Sequence, residues 1–228
     1  MLPLFDSVPT RRFPLVTYGL IAASFAVWFW ELGSRGAHVD HDAFYPCAVQ
    51  GPCGAAVHTQ LAWPIAVVTA MFLHASWLHI LGNMLFLWIF GNNVEDAMGR
   101  FRYLLFYFAA GFAAALTQAF VTLHWSGTAA ASVPEVGASG AIAGVLGAYF
   151  VLLPHARVWT LILGFLPWRL SAGFFLVFWF LLELWEGGFS LTHPQTGGGV
   201  AFAAHVGGFV FGVLTVRIFQ VRPPLRVS

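Results

Sequence analysis

Four polar residues stand out in an otherwise apolar chain. Ser139 lies in Gly137–Ala–Ser139–Gly140, and His205 in Ala204–His205–Val–Gly–Gly208. His79 and Asn83 are four residues apart in His79–Ile–Leu–Gly–Asn83. A serine hydroxyl is a weak nucleophile until a positioned base takes its proton. Neutral imidazole suits that task near pH 7. The oxyanion that forms on attack needs preorganised donors. His79 and Asn83, at i and i+4, share one helix face and can both donate. Free amides at the start of a helix beside Ser139 would add to them. Nucleophile, base and oxyanion donors are therefore all present. No acid is obviously set to orient His205, so a dyad is expected rather than a triad. His74 is five residues before His79, points to another face and reads as structural. If His205 must be neutral to act, activity is expected to fall in acid.

The elements that must position these groups follow from composition. Of 228 residues, 59% are hydrophobic and 8% charged, with 24 Phe and 10 Trp. Mean hydropathy is +0.79. A soluble domain carries about 25% charge, so a bilayer is the natural solvent. A cytoplasmic globular enzyme and a disordered protein are excluded, and a net charge of +1 offers no field for nucleic acid. The expected fold is all-α: one domain over residues 1–228, a membrane bundle of six transmembrane helices. The spans are read at about 13–31, 65–91, 103–121, 136–153, 171–185 and 199–216, with a long outer loop at 32–64. The second is longer than one crossing needs and should tilt or protrude. The segment 159–170 is apolar but broken by Gly164 and Pro167 and reads as interfacial. Phe13–Trp30 has no clear cleavage site and reads as a retained helix rather than a signal peptide.

Arginine placement sets direction. With the N-terminus inside, the inner segments hold Arg11, Arg12, Arg100, Arg102, Arg157, Arg169, Arg217, Arg222 and Arg226, and only Arg35 falls outside. Both termini are then cytoplasmic. Cys47 and Cys53 share the outer loop, where a disulfide is permitted. His38, Asp40, His41 and Asp42 lie in the same loop without defined ligand spacing and read as solvated, so no metal is expected. Counting 1.5 Å per residue, Ser139 lies roughly 5 Å and His205 roughly 9 Å into their spans from the outer side. Glu183, near the outer end of span five, reads as interfacial. Gly140/Gly144 and Gly208/Gly212 have the small-xxx-small spacing that lets two helices approach closely. Spans four and six would thus bring serine and histidine together.

These residues carry a resemblance to the rhomboid family of intramembrane serine proteases. The run from Phe72 to Asn83, with His74 and His79, resembles the family's span-two pattern. Gly137–Ala–Ser139–Gly140 resembles its GxSG motif, and Ala204–His205 through Gly208 to Gly212 its last-span AHxxGxxxG. Gly91–Gly99, with Glu95, is similar to the segment that follows span two. Together these motifs cover spans two to six. The resemblance implies Ser139 as nucleophile, His205 as general base, and His79 and Asn83 at the oxyanion hole. It implies substrates that are membrane helices entering near spans two and five, a water-filled cavity open to the outside, and no cofactor. Two departures stand out. The aromatic that some members carry one turn after the serine is Ala143 here, so His205 must be held otherwise. Some members also carry a Trp–Arg pair in the first outer loop, whereas Trp63 is followed by Pro64.

The main alternative is a non-catalytic relative that binds membrane helices as chaperone or adaptor. Such relatives typically lose the serine or histidine, and this chain keeps both. A small transporter would need the intramembrane carboxylates of a proton relay, which are missing. GxSxG and HExxH enzymes are excluded because residue 141 is Ala and the histidine spacing differs. The short tails, with no targeting sequence, favour a bacterial inner membrane.

Overall fold

In a bilayer every backbone amide and carbonyl must bond within the protein, and a helix does so within its own segment. The computed structural model describes all residues except 35–38, 55–56, 58–60, 163, 193–201 and 226–228, with the side chains of 127–128 and 186–192 also outside the description. Arg35, His38, Arg226 and the first residues of the expected sixth span therefore lie outside the described residues. Six long helices dominate: α1 (Leu15–Gly33), α4 (Trp77–Met98), α5 (Arg100–Val121), α7 (Ser139–Leu152), α8 (Ala172–Thr192) and α9 (Phe202–Phe219). Between them come the short α2 (Val39–Asp42), α3 (Trp63–Ala70) and α6 (Gly127–Ala131). Among the described residues, three helical stretches are long and apolar enough to cross a membrane: Leu15–Gly33, Arg100–Ser126 and Phe202–Phe219. Ser139–Leu152 and Ala172–Trp185 are apolar but shorter.

Helix α7 is the centre. Every residue from Gly140 to Tyr149 is buried, against α9, α5 and α4. The outer helices turn large apolar side chains outward; Leu78, Phe101, Leu214 and Ile218 are between 71% and 83% exposed. Such surface is costly in water and at home in lipid.

The expected second span is two helices. The chain leaves α3 at Ala70 and passes through His74, whose N–H reaches Glu31 Oε2 at 3.4 Å. It restarts where Ser76, in extended conformation, accepts the His79 amide at 3.2 Å and caps α4. At its other end α4 runs past residue 91 through Asn92–Asp96, polar residues that looked like a loop. Each has a partner that makes helix tolerable there. Asn93 donates to Asp6 at 2.7 Å. Arg11 lies 3.4 Å from Asp96. Glu95, only 3% exposed, accepts from the Val16 amide at 3.0 Å and from the Thr17 amide and hydroxyl, each at 2.8 Å. A carboxylate from α4 thus satisfies the first amides of α1, where the helix dipole favours negative charge. Glu95→Ala strands three donors, two of them on fully buried Thr17. The expected cost is about 3 kcal/mol, read as a lower unfolding temperature in detergent. An unchanged midpoint would show that water replaces the carboxylate.

The all-α expectation is corrected by a small antiparallel sheet, in the order β1 (Leu2–Asp6), β2 (Arg157–Ile162), β3 (Leu166–Ser171). The segment read as interfacial is the β2–β3 hairpin. Its β-branched and aromatic residues favour strand, and its proline, Pro167, sits on the edge strand, where a missing N–H is tolerated. The sheet ties the N-terminal segment to the α7–α8 connection. Asp6 accepts from the Tyr149 hydroxyl at 2.5 Å as well as from Asn93. Burial pushes its carboxyl up to about 6 from 3.8, outweighing those hydrogen bonds. Folding then favours the protonated form, so this group's stabilisation is greatest below about pH 4 and declines as pH rises towards about 6. Asp6→Asn is expected to flatten the unfolding midpoint across that window. A wild-type midpoint that rises there would contradict it.

Candidate active site

Ser139 is the first residue of α7, so it opens the helix rather than lying three residues inside it. The amides of that first turn have no partner within the helix and face the same end as the hydroxyl. The preceding loop is fixed by backbone bonds. Glu135 exchanges N–H···O bonds with Phe44 at 2.7 and 3.1 Å, and the Gly137 amide donates to Ala70 at 2.8 Å. Gly137 has φ +121°, and a Cβ there would lie 2.7 Å from His79 Nε2. Only glycine meets both demands, and its absent side chain lets the His79 ring come close to the serine's own loop.

His79 packs its ring edge-on to His74, centroids 5.1 Å apart. Asn83, one turn further along α4, is 8% exposed, and its Nδ2 finds no acceptor among the described residues. A buried amide donor without a partner is uncommon in a folded protein; here it borders a cavity. That cavity, about 550 Å³, is lined by His79, Asn83, Ser139, Trp179, Glu183 and His205 among others. The glycine seam explains how α9 comes so close. A Cβ at Gly208 would strike the Gly140 carbonyl, and one at Gly212 the Gly144 carbonyl. Gly140 itself would bring a Cβ within 3.7 Å of the Ala204 Cβ, the residue before His205.

Two readings of the sequence need correction. Glu183 is not an interfacial bystander: its Oε2 lies 2.7 Å from His205 Nδ1, with the two side chains 14% and 12% exposed. The expectation that no acid faces His205 fails with it. The stacking aromatic missing at Ala143 has a counterpart on another helix, since the Trp179 ring centroid is 6.0 Å from that of His205. Trp179 and Glu183 are four apart on α8 and share one face, a spacing legible in the sequence but without a sign of which way the face turned.

Glu135 adds a polar group to the cavity wall. Burial pushes its carboxyl up to about 8, against a hydrogen bond from Gln118, so it is largely neutral at pH 7. Gln118 also accepts the Ala204 amide at 3.1 Å, tying α5 to the start of α9. In the loop after α1 Cys47 and Cys53 are joined, with Cα atoms 5.4 Å apart. Among the described residues no group of three His, Cys, Asp or Glu side chains is arranged to hold a metal.

A bundle of apolar helices encloses a cavity bordered by a serine at a helix start and a histidine on the neighbouring helix, the architecture of a helical membrane protein. A family model described as the Rhomboid domain matches residues 62–222, and the chain belongs to the rhomboid family. Rhomboid protein 1, mitochondrial, of Saccharomyces cerevisiae is 29% identical over 66% of this chain and 40% of its own length. Rhomboid-like protein 11, chloroplastic, of Arabidopsis thaliana is 35% identical over 73% of this chain and 56% of its own. Rhomboid protease GluP of Bacillus subtilis is 35% identical over 43% of this chain and 18% of its own. The chain thus spans at most 56% of the length of these relatives. With mitochondrial and chloroplastic proteins among them, they do not support the expected bacterial inner membrane; a membrane location stands.

Proposed function

We propose that this chain is an intramembrane serine protease, hydrolysing peptide bonds in or near the transmembrane helices of other membrane proteins. The observation that carries the reading is the single cavity bordered by Ser139, His205, His79 and Asn83. In the proposed mechanism Ser139 Oγ attacks the scissile carbonyl carbon while His205 takes the hydroxyl proton. The carbonyl electron pair moves onto oxygen, where His79, Asn83 Nδ2 and the first amides of α7 stabilise it. The C–N bond then breaks, His205 returns the proton to the leaving amine, and water releases the acyl group by the same route. No cofactor takes part.

In this reading α1, α4, α5, α7, α8 and α9 each cross the bilayer. Its support is that both ends of the chain meet. Arg11 donates to the Pro223 carbonyl at 2.8 Å, and the Val221 and Arg222 amides donate to Ala97 at 3.0 and 3.1 Å. An even number of crossings follows. The arginine-rich end, with Arg11, Arg12, Arg100 and Arg222, faces the cytoplasmic or equivalent side, and the cavity opens to the other.

The test is cleavage of a single-span substrate in liposomes, wild type beside Ser139→Ala. Cutting by wild type alone is expected. Equal cutting by both would remove Ser139 as nucleophile. No cutting by either, with no fluorophosphonate labelling of Ser139, would overturn the protease reading in favour of a helix-binding relative.

A further inference from the structure

We propose that Glu183 is a positioning residue for His205, so that the site works as a Ser139–His205–Glu183 triad rather than a dyad. The inference rests on the protease reading and adds a third member to its machinery.

The geometry is specific. At 2.7 Å from Glu183 Oε2, His205 Nδ1 is within the range of a charge-assisted hydrogen bond. A carboxylate oxygen only accepts, so Nδ1 carries the proton. That leaves Nε2 as the unprotonated nitrogen, the one able to take a proton from Ser139 Oγ. An imidazole without such a partner divides itself between two tautomers and turns about its side-chain bonds. Here one turn of α8 restrains it twice. Glu183 holds the Nδ1 edge, and Trp179, which also packs against Phe209 with ring centroids 6.0 Å apart, borders the ring. The pair is largely withdrawn from solvent, with side chains 14% and 12% exposed. A carboxylate so shielded interacts more strongly with its neighbour than one in water.

The carboxylate also has work to do during the reaction. When Nε2 accepts the serine proton, the ring becomes a cation inside a largely apolar bundle. Glu183 faces that charge directly, and the proton on Nδ1 remains on Nδ1 throughout. Among the described residues, one further imidazole lines this cavity, that of His79 on α4. Among the described residues no arginine lines this cavity to compete for the carboxylate. The role fits what this sequence lacks: with Ala143 where an aromatic one turn after the serine would support the ring, support comes from α8.

The experiment compares wild type with Glu183→Gln and Glu183→Leu in liposomes. It uses three readouts: kcat and KM for a membrane substrate, the rate at which a fluorophosphonate labels Ser139, and the ¹⁵N spectrum of His205. Leu keeps the apolar volume, Gln keeps an acceptor without charge, and both must match wild type in unfolding temperature. The expected result is a kcat lower by about 10²-fold or more with KM little changed, slower labelling, and, for Leu, loss of the single Nδ1–H tautomer. Labelling and kcat within twofold of wild type in both variants would overturn the proposal. If wild type itself neither cuts nor labels, the protease reading fails, and the spectrum alone decides the positioning. In that case an Nδ1–H tautomer that persists in Glu183→Leu overturns it, and a tautomer mixture upholds it.

Discussion

Alanine at Ser139, at His205 and at both positions together is expected to leave the same residual rate of substrate cleavage. In the proposed mechanism the hydroxyl and the imidazole share a single proton transfer. Removing either ends the pathway, so removing the second has nothing left to subtract. Groups that act as a unit are strongly non-additive in this way. The loss in each single variant should be about 10⁴-fold or more in kcat. What remains comes from Asn83 Nδ2, His79 and the α7 amides polarising a bound carbonyl, since those groups stay where they are. Ser139→Ala should unfold like wild type, because its side chain is not part of the glycine seam, whereas His205→Ala and the double variant leave the Glu183 carboxylate without its partner and should melt earlier by equal amounts. Single-turnover cleavage in liposomes, followed by thermal unfolding of the same samples, reads both quantities. Losses that multiply in the double variant would mean that the two residues serve separate steps, and the nucleophile–base assignment would fall.

The second large effect lies in the backbone. Gly208→Ala adds one methyl group at the place where α9 meets the Gly140 carbonyl of α7. A flexible side chain could swing aside, but a carbonyl held in a buried helix cannot. Relief requires the two helices to separate along a seam that repeats at Gly144 with Gly212 and at Gly147 with Phe209. Overpacking typically costs 1–3 kcal/mol. Where backbone faces backbone the cost should reach about 3 kcal/mol or more. Because the seam also sets the approach of Ser139 to His205, cleavage should be lost even in molecules that remain folded. Gly19→Ala on α1, where an added Cβ meets nothing within 4 Å, is the control and should behave as wild type. A Gly208→Ala protein that melts and cuts like that control would show that the helices can part at little cost.

Four residues that line the cavity, Ser139, His205, His79 and Asn83, were legible because their signals are local. Ser139 and Gly137 sit within one turn, and His79 and Asn83 fall on one face of one helix. The Gly140/Gly144 and Gly208/Gly212 spacings forecast which helices come closest. What escaped depended on partners far apart in the chain. The stretch Asn92–Asp96 is too polar to read as helix until Asp6, Arg11 and the α1 amides are brought to it. The sheet needs Leu2–Asp6 to find Arg157–Ile162, a pairing that no periodicity announces. Glu183 stands 22 residues before His205, with an intervening segment that hides their relation. Helical spacing says that Trp179 and Glu183 share a face, whereas the rotation of α8 decides what that face meets.

The pairing of β1 with β2 has a consequence for how the molecule is made. Strand β1 leaves the ribosome well before the residues it must pair with: Ser7 waits for Arg157, 150 positions along. At typical synthesis rates that is a delay of about 8 to 30 s, during which α1, α4, α5 and α7 are produced. Asp6 likewise waits for Asn93 and then for Tyr149. A segment translated before α1 is thus among the last to be fastened, and it closes over α4 and α7 only once both exist. Strand β1 serves as the latch.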